Sequence, residues 1–240
     1  VSRTARFHVD ELPSEEGARL TLESEEAHHA ISVLRLIPGS EVELFDGEGG
    51  AGRFRVLEAG KRGLSLALVA RTDEDRESRC RVTLAFAPPR PKRTLSLIEK
   101  ATELGVARFV PIETVRTRAA LPARALPKLQ RRAVEAAKQC GRNRLPTFGE
   151  SVGLEALVAQ EKAELNLLPD TVGGRPLREV VRGRDVRSVL FVIGPEGGFD
   201  DAERLVLRGA GFEPVVLGRS ILRVETAALA VLACLSYELG

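Results

Sequence analysis

Apolar residues recur in two different rhythms along this chain. Up to about residue 72 they come in short alternating runs, which predict strands at Ala5–Val9, Arg19–Leu22, Glu41–Phe45, Arg53–Glu58 and Leu64–Val69. Turn residues separate these runs at Pro38-Gly39, Asp46-Gly47, Gly49-Gly50 and Gly60. One helical stripe interrupts them, with Ser24 as its cap, Ala27, Ala30, Ile31 and Leu34 on its apolar side, and Pro38 beyond its end. Short strands around one helix predict a small β-barrel. The charged, apolar-poor segment Arg71–Arg79 reads as a linker, which divides the chain into residues 1–72 and 73–240.

Beyond the linker, strands and helices alternate. Val82–Ala87 reads as a strand, Pro88–Arg93 as a loop, and Thr94 as the cap of a helix that Gly105 ends. Val106–Ile112 is the next strand. Leu126–Cys140 is a helix with Leu129, Ala133, Ala136, Ala137 and Cys140 facing inward and Lys128, Arg131, Arg132 and Lys138 facing outward. Leu154–Gln160 and Leu177–Val181 read as helices, and Leu165–Leu168 as a strand. Alternation of this kind predicts an α/β domain with a mostly parallel sheet covered by helices.

The last fifty residues carry the densest pattern. The buried-strand run Leu190-Phe191-Val192-Ile193 leads into Gly194-Pro195-Glu196-Gly197-Gly198. Asp200 then stands three residues before Glu203, a carboxylate form of the capping box that opens a helix. A second strand, Pro214–Leu217, leads into Gly218, and a last apolar helix follows Thr226. In open parallel sheets ligands bind beyond the carboxyl ends of strands, so these two glycine-marked loops are candidates for one shared pocket. Their spacing matches neither G-x-G-x-x-G nor the phosphate loop G-x-x-x-x-G-K-[ST].

Composition narrows the chemistry. The net charge is only +2, but Arg116–Arg144 holds nine basic residues and one acidic one, Glu135. Such a stretch, with Arg90, Lys92 and Arg93 as a second cluster, points to a polyanion partner. Nine Phe, one Tyr and no Trp leave little for a base-stacking platform. Three separated cysteines, with no C-x-x-C, fit neither a zinc site nor a disulfide framework and favour a reducing compartment. His28 and His29 are adjacent and point apart on a helix, so no metal site is expected. Val1–Leu12 lacks the apolar core of a signal peptide, and the final apolar run is too short to span a bilayer. No serine or cysteine nucleophile is suggested. The polar groups near the glycine loops are Glu196, Arg219, Ser220, Arg223, Glu225 and Thr226. Arg223 and Glu225 read either as an ion pair that closes the loop or as substrate contacts.

Several of these motifs, taken together, resemble one family. Ile193–Phe199, Leu217-Gly218 and Ile221–Ala227 are similar to the RsmE family of SPOUT-superfamily methyltransferases. Further matches in order are His29 with Val33-Leu34-Arg35, Phe45-Asp46-Gly47, Lys100–Val106, and Glu135-Ala136 with Gln139, Arg142 and Pro146. Cys140 stands where the family often has Ser, and the segment before Arg93 is unusually rich in proline.

The resemblance implies an N-terminal PUA-like barrel, a C-terminal SPOUT domain tied in a deep trefoil knot, and a cytoplasmic homodimer. It implies S-adenosylmethionine (SAM) as methyl donor and N3 of a uridine in 16S ribosomal RNA of the small subunit as acceptor. By motif, SAM contacts are expected from Gly194, Pro195, Glu196, Gly197, Gly198, Leu217, Gly218, Ile221, Leu222 and Thr226. Arg223 is the candidate to stabilise charge on the uracil, and Glu196 or Glu225 to take the N3 proton. RNA contacts are expected from Arg6, Arg35, Arg90, Lys92, Arg93, Arg131, Arg132, Arg142 and Arg144. Two alternatives stay open: a related SPOUT enzyme acting on another RNA atom, and a non-catalytic RNA-binding assembly factor.

Overall fold

The structure is a computed structural model that describes residues 4–23, 27, 30–60, 63–72, 76–117 and 120–240. The expected cap Ser24 and the pair His28-His29 lie outside the described residues. The chain divides into two units, and not at a single cut. The first holds residues 1–76 together with 137–145, and the second holds 77–136 and 146–240.

Among the described residues, five strands build the first unit: β1 (Ala5–His8), β2 (Arg19–Leu22), β3 (Glu41–Phe45), β4 (Ala51–Gly60) and β5 (Gly63–Thr72). They pair in the order β1-β3-β4-β5-β2, antiparallel except for β1 beside β3. The β4–β5 hairpin is longer than the apolar alternation predicts, because backbone pairing carries through Gly52 and the polar flanks. Register shifts at Arg53/Phe54 and Val56/Glu58 bend it. The alternate residues Val42, Leu44, Phe54, Val56, Leu64, Leu66 and Leu68 share one face and form the core with Phe7 and Leu22.

Residues 137–145 complete this unit. Leu145 N–H donates to the Gly47 carbonyl at 2.8 Å, and Gly49 N–H to the Asn143 carbonyl at 3.1 Å. Phe45, Ala51, Ala137 and Leu145 close a small apolar cluster. Asp46 Oδ1 accepts from the N–H groups of Glu48 and Gly50, at 2.8 and 2.9 Å, and so shapes the turn that meets residues 143–145.

The second unit is a sheet in the order β11-β13-β10-β12-β6-β7-β8, with β9 also on β7, and its pairings are parallel. Its strands are β6 (Arg81–Phe86), β7 (Arg108–Glu113), β8 (Thr147–Phe148), β9 (Val152–Gly153), β10 (Leu165–Pro169), β11 (Arg175–Pro176), β12 (Ser188–Ile193) and β13 (Glu213–Val216). Its helices are α1 (Pro91–Glu103), α2 (Leu126–Cys140, of which residues 137–140 belong to the first unit), α3 (Leu154–Gln160), α4 (Leu177–Val181), α5 (Asp201–Gly209) and α6 (Val224–Leu239). The central strand β12 is apolar on both faces for a visible reason. Val189, Phe191 and Ile193 enter the core under α1, α4 and α6, while Leu190 and Val192 enter the core under α3 and α5.

Two boundaries and one burial differ from the sequence reading. Helix α1 starts at Pro91, not at Thr94. A first-turn N–H has no partner in a helix, so proline is tolerated there and the proline-rich segment becomes the helix start. Thr94 is buried inside the helix and donates from Oγ1 to the Pro89 carbonyl at 2.9 Å. Helix α6 begins at Val224, which brings Glu225 and Thr226 out of the loop and into its first turn. Cys140 is only partly buried.

Candidate functional site

Strands β13, β10 and β12 are neighbours, so the loops after their carboxyl ends come together. After β12 the chain turns at Pro195–Gly198, where Gly198 N–H donates to the Pro195 carbonyl at 2.8 Å and Gly198 takes φ 69°, a left-handed value suited to glycine. Asp200 then caps α5. Its Oδ1 accepts from Glu203 N–H at 2.8 Å, and its own N–H donates to Glu203 Oε2 at 2.8 Å. Glu203 Oε1 also accepts from Val115 N–H at 2.8 Å, which ties the segment after β7 to the same helix start.

After β10, Asp170 accepts from Thr171 N–H at 2.7 Å and from Arg204 Nε at 2.6 Å. That hydrogen bond raises the Arg204 guanidinium above its already high ordinary pKa. After β13, residues 217–223 lead to Arg223, the residue flanking the start of α6.

These three loops, with Arg90 and Arg93, enclose a cleft of about 900 Å³. Its walls bring together Gly194, Pro195, Glu196, Gly197, Gly198, Leu217, Gly218, Ile221, Leu222 and Arg223. Thr226 does not line it, because the first turn of α6 carries that side chain outward, exposed to solvent. The loop of Pro169, Asp170 and Thr171, and Arg204 behind it, were missed from sequence. The strand-end rule that picked the other two loops applies to β10 as well, but no glycine marks that loop.

At the rim, Arg93 spans two carboxylates. Its Nη1 lies 3.0 Å from Glu196 Oε1 and its Nε 3.5 Å from Glu225 Oε1. Arg93, read from sequence with the basic cluster, therefore also borders this cleft. Among the described residues Arg223 and Glu225 form no ion pair, so a loop clamp between them is not what the fold contains. Glu225 Oε2 is buried without a hydrogen bond. Arg116 donates from Nη1 to the Gly197 carbonyl at 2.8 Å and lies over that glycine, where an added Cβ would stand 3.3 Å from its Cδ.

The other expected RNA contacts separate into two kinds. Arg90, Lys92, Arg131, Arg132, Arg144 and Arg35 are exposed. Arg132 Nη1 reaches Glu99 Oε2 at 3.2 Å, Arg144 donates to the Glu48 carbonyl, and Arg35 holds a positive φ of 53°. Arg6 and Arg142, expected on the same phosphate face, are instead buried. Arg6 donates to Glu43 at 3.1 Å, to the carbonyls of Ala137 and Arg142 at 3.1 and 3.3 Å, and to Asn143 Oδ1, while lying 4.7 Å from the Phe45 ring centre. Burial lowers its pKa despite Glu43. A guanidinium with that many internal acceptors joins residues 137–145 to the first unit and has little left for a phosphate. Among the described residues no three His, Cys, Asp or Glu side chains gather as metal ligands, and no helix is long and apolar enough to cross a membrane.

The family model of the RNA methyltransferase domain matches residues 76–236, and that of the RNA methyltransferase PUA domain matches residues 22–69. A curated relative from Mycobacterium bovis, ribosomal RNA small subunit methyltransferase E, is 33% identical over 94% of this chain and 88% of its own. The chain belongs to the ribosomal RNA small subunit methyltransferase E family. The Bacillus subtilis member of that family is 28% identical over 93% of this chain and 92% of its own. The Neisseria gonorrhoeae member, solved bound to S-adenosyl methionine, superposes with a TM-score of 0.88 over 98% of both chains at 28% identity. A Legionella pneumophila protein solved in complex with bound SAM reaches 0.89 over 98% of both chains at 30% identity. Family membership thus agrees with the resemblance carried by residues 193–199 and 217–227.

Proposed function

We propose that this chain is a SAM-dependent methyltransferase that methylates N3 of a uridine in 16S ribosomal RNA of the small ribosomal subunit, in the cytoplasm. One juxtaposition carries the assignment: three strand-end loops form a cleft of cofactor size, and the Glu196 carboxylate stands on its wall, held by Arg93. The names of the relatives and the SAM in their solved structures support the same reaction class.

SAM fits the residues present. A side-chain carbon added at Gly218 would meet nothing within 4 Å, so the loop leaves open space where a ligand can approach the backbone. Backbone groups of Leu217, Gly218 and Leu222 would hold the adenine and ribose, and the Gly194–Gly198 turn the rest. When bound, SAM supplies a methyl group already activated on a cationic sulfur, so this chain's residues need only position, desolvate and move a proton. Uridine N3 carries a proton that must leave, and in this reading Glu196 would accept it, which its position on the cleft wall supports. Glu225 does not border the cleft, and its part is to hold Arg93 from behind. Arg223, exposed on the cleft wall, would stabilise the charge that develops on a uracil oxygen. N3 lies on the pairing edge, so the target base must be unpaired or turned out of its stack.

The first unit serves in this reading as a PUA-like barrel that binds RNA, and the second as a SPOUT domain with a trefoil knot. In that reading α6, whose Ala228, Val231, Leu232 and Leu235 are buried in the same core as β6 and β12, would be part of the knot. Smoothing the backbone of an experimental structure between fixed ends should leave three crossings, and an unknotted trace would refute it. Outside that core, α6 exposes Ala233, Cys234 and Tyr237, with Tyr237 87% accessible, and Ile221 before it is 84% accessible. An apolar face of this kind fits a two-fold interface. A monomer by light scattering at micromolar concentration would remove the homodimer.

The deciding experiment is to incubate the protein with SAM and unmodified small subunits, then map the methylated nucleotide. A ribose 2′-O-methyl product would move the enzyme to another SPOUT reaction. Absence of SAM binding would favour a non-catalytic assembly factor.

A further inference from the structure

A second cavity, of about 720 Å³, adjoins the cofactor cleft. The two share Arg90, Pro195, Glu196, Gly197 and Val224. The reaction described above gives this second space no task. Its lining is apolar over Pro88, Pro89, Leu95, Leu121, Ala125 and Leu129. The short 3₁₀ turn Ala123–Ala125, preceded by Pro122, runs along one side of it. Among the described residues three cations, Arg90, Arg116 and Lys128, border it against a single carboxylate, Glu196.

We propose that this cavity receives the acceptor uridine nucleotide, so that donor and acceptor occupy adjoining spaces that meet at Glu196. This rests on the methyl-transfer reading and gives it an acceptor site. The chemistry of the lining matches a nucleotide in three respects. A uracil ring has weakly polar faces, and walls of proline and leucine can cover them without stranding a hydrogen-bonding group. The phosphates on either side of a flipped nucleotide require cations, and Arg90, Arg116 and Lys128 stand at the border. The N3–H edge requires an acceptor, and the one carboxylate of the lining belongs to both spaces. In the transfer, the bond from N3 to the methyl carbon forms as the sulfur–carbon bond breaks. The N3 proton goes to Glu196 and then to solvent, and the sulfur is left as a neutral thioether.

The test uses the full chain and two variants. Ala125→Phe fills the cavity from the 3₁₀ turn, and Lys128→Ala removes an exposed cation without disturbing packing. Binding of uridine 5′-monophosphate is followed by saturation-transfer NMR in the presence of S-adenosylhomocysteine, SAM affinity by calorimetry, and methyl transfer by single turnover on unmodified small subunits. Ala125→Phe should lose the uridine monophosphate signal and slow transfer about tenfold or more while SAM affinity stays within about twofold. Lys128→Ala should weaken uridine monophosphate and flatten the salt dependence of RNA binding. Equal nucleotide binding by wild type and Ala125→Phe would overturn the proposal. So would a fall in SAM affinity with nucleotide binding intact, which would give the cavity to the cofactor. If Ala125→Phe fails to fold by circular dichroism, Lys128→Ala decides alone, and unchanged nucleotide affinity and salt slope would overturn it. A wild type that binds the nucleotide here but transfers no methyl to RNA would refute the reaction and leave the pocket standing.

Discussion

Gly194 and Gly218 look alike in the sequence, each standing just past a strand at the head of a loop. A carbon added at each would meet different surroundings. At Gly194 it would lie 2.8 Å from Cε2 of the buried Phe199 ring. At Gly218 it would meet open space. Gly194→Ala should therefore destabilise the fold, by roughly 1–3 kcal/mol for an overpacked site, and chemical denaturation measures it. Gly218→Val should leave the denaturation midpoint in place and abolish SAM binding by calorimetry. Unchanged SAM affinity would take the 217–223 loop out of the cofactor site. Arg223 permits a similar separation, since no Glu225 partner complicates its removal. Arg223→Ala should slow single-turnover methyl transfer roughly a hundredfold with little change in SAM affinity. Arg223→Lys should restore only part, because an ammonium lacks the planar fork. Losses of activity and SAM affinity in proportion would leave Arg223 a cofactor contact and no more. Both glycines and Arg223 were legible from their place after strands. Arg93 was not, because its carboxylate partners Glu196 and Glu225 lie more than a hundred residues away, and only folding brings them within 3.5 Å.

At the level of elements, the capping pattern Asp200–Glu203 was read from spacing alone and is present with both reciprocal bonds. Its second task was not readable, because Val115 belongs to a distant segment. The difference is measurable. Asp200→Ala should cost about 1 kcal/mol, the usual loss for a helix cap. Glu203→Ala should cost more, since it also leaves the Val115 N–H without its acceptor, a further penalty of about 1–3 kcal/mol. Equal shifts in urea midpoint for the two variants would mean that the Val115 bond contributes nothing. Helix interiors such as Leu126–Cys140 and Leu154–Gln160 followed their apolar periodicity closely. The two-residue strands β8, β9 and β11 escaped, since so short a pairing has no period to detect. The start of α1 lies ahead of its apolar pattern because proline, a break inside a helix, is compatible with a first helical position.

At the level of the whole molecule, the parallel sheet and its helices could be anticipated from alternation, and the five strands of the first unit from their turns. The double division could not, because local composition shows only the charged segment near residue 75. Nothing in the pattern of residues 137–145 announces that they complete the first unit. Yet Arg6 finds its acceptors on Ala137, Arg142 and Asn143. A fragment ending at residue 76 would keep the guanidinium and lose all three. It should show little amide protection in hydrogen exchange, and a single-chain version joining residues 1–76 to 137–145 by a flexible linker should regain it. Strong protection in the shorter fragment would make residues 137–145 dispensable.

That division also bears on how the protein is made. A ribosome delivers the chain from its first residue onward, and a unit closed within residues 1–76 could fold while the rest was still being assembled. Here the closing segment arrives only after the strands and helices of residues 77–136 have emerged. The opening strands must therefore remain incomplete through the translation of some sixty further codons. That interval leaves Phe45 and Ala51 without their cover from Ala137 and Leu145, and Arg6 without its carbonyl acceptors, within reach of chaperones and proteases. Slowing translation before residue 145 should lengthen it.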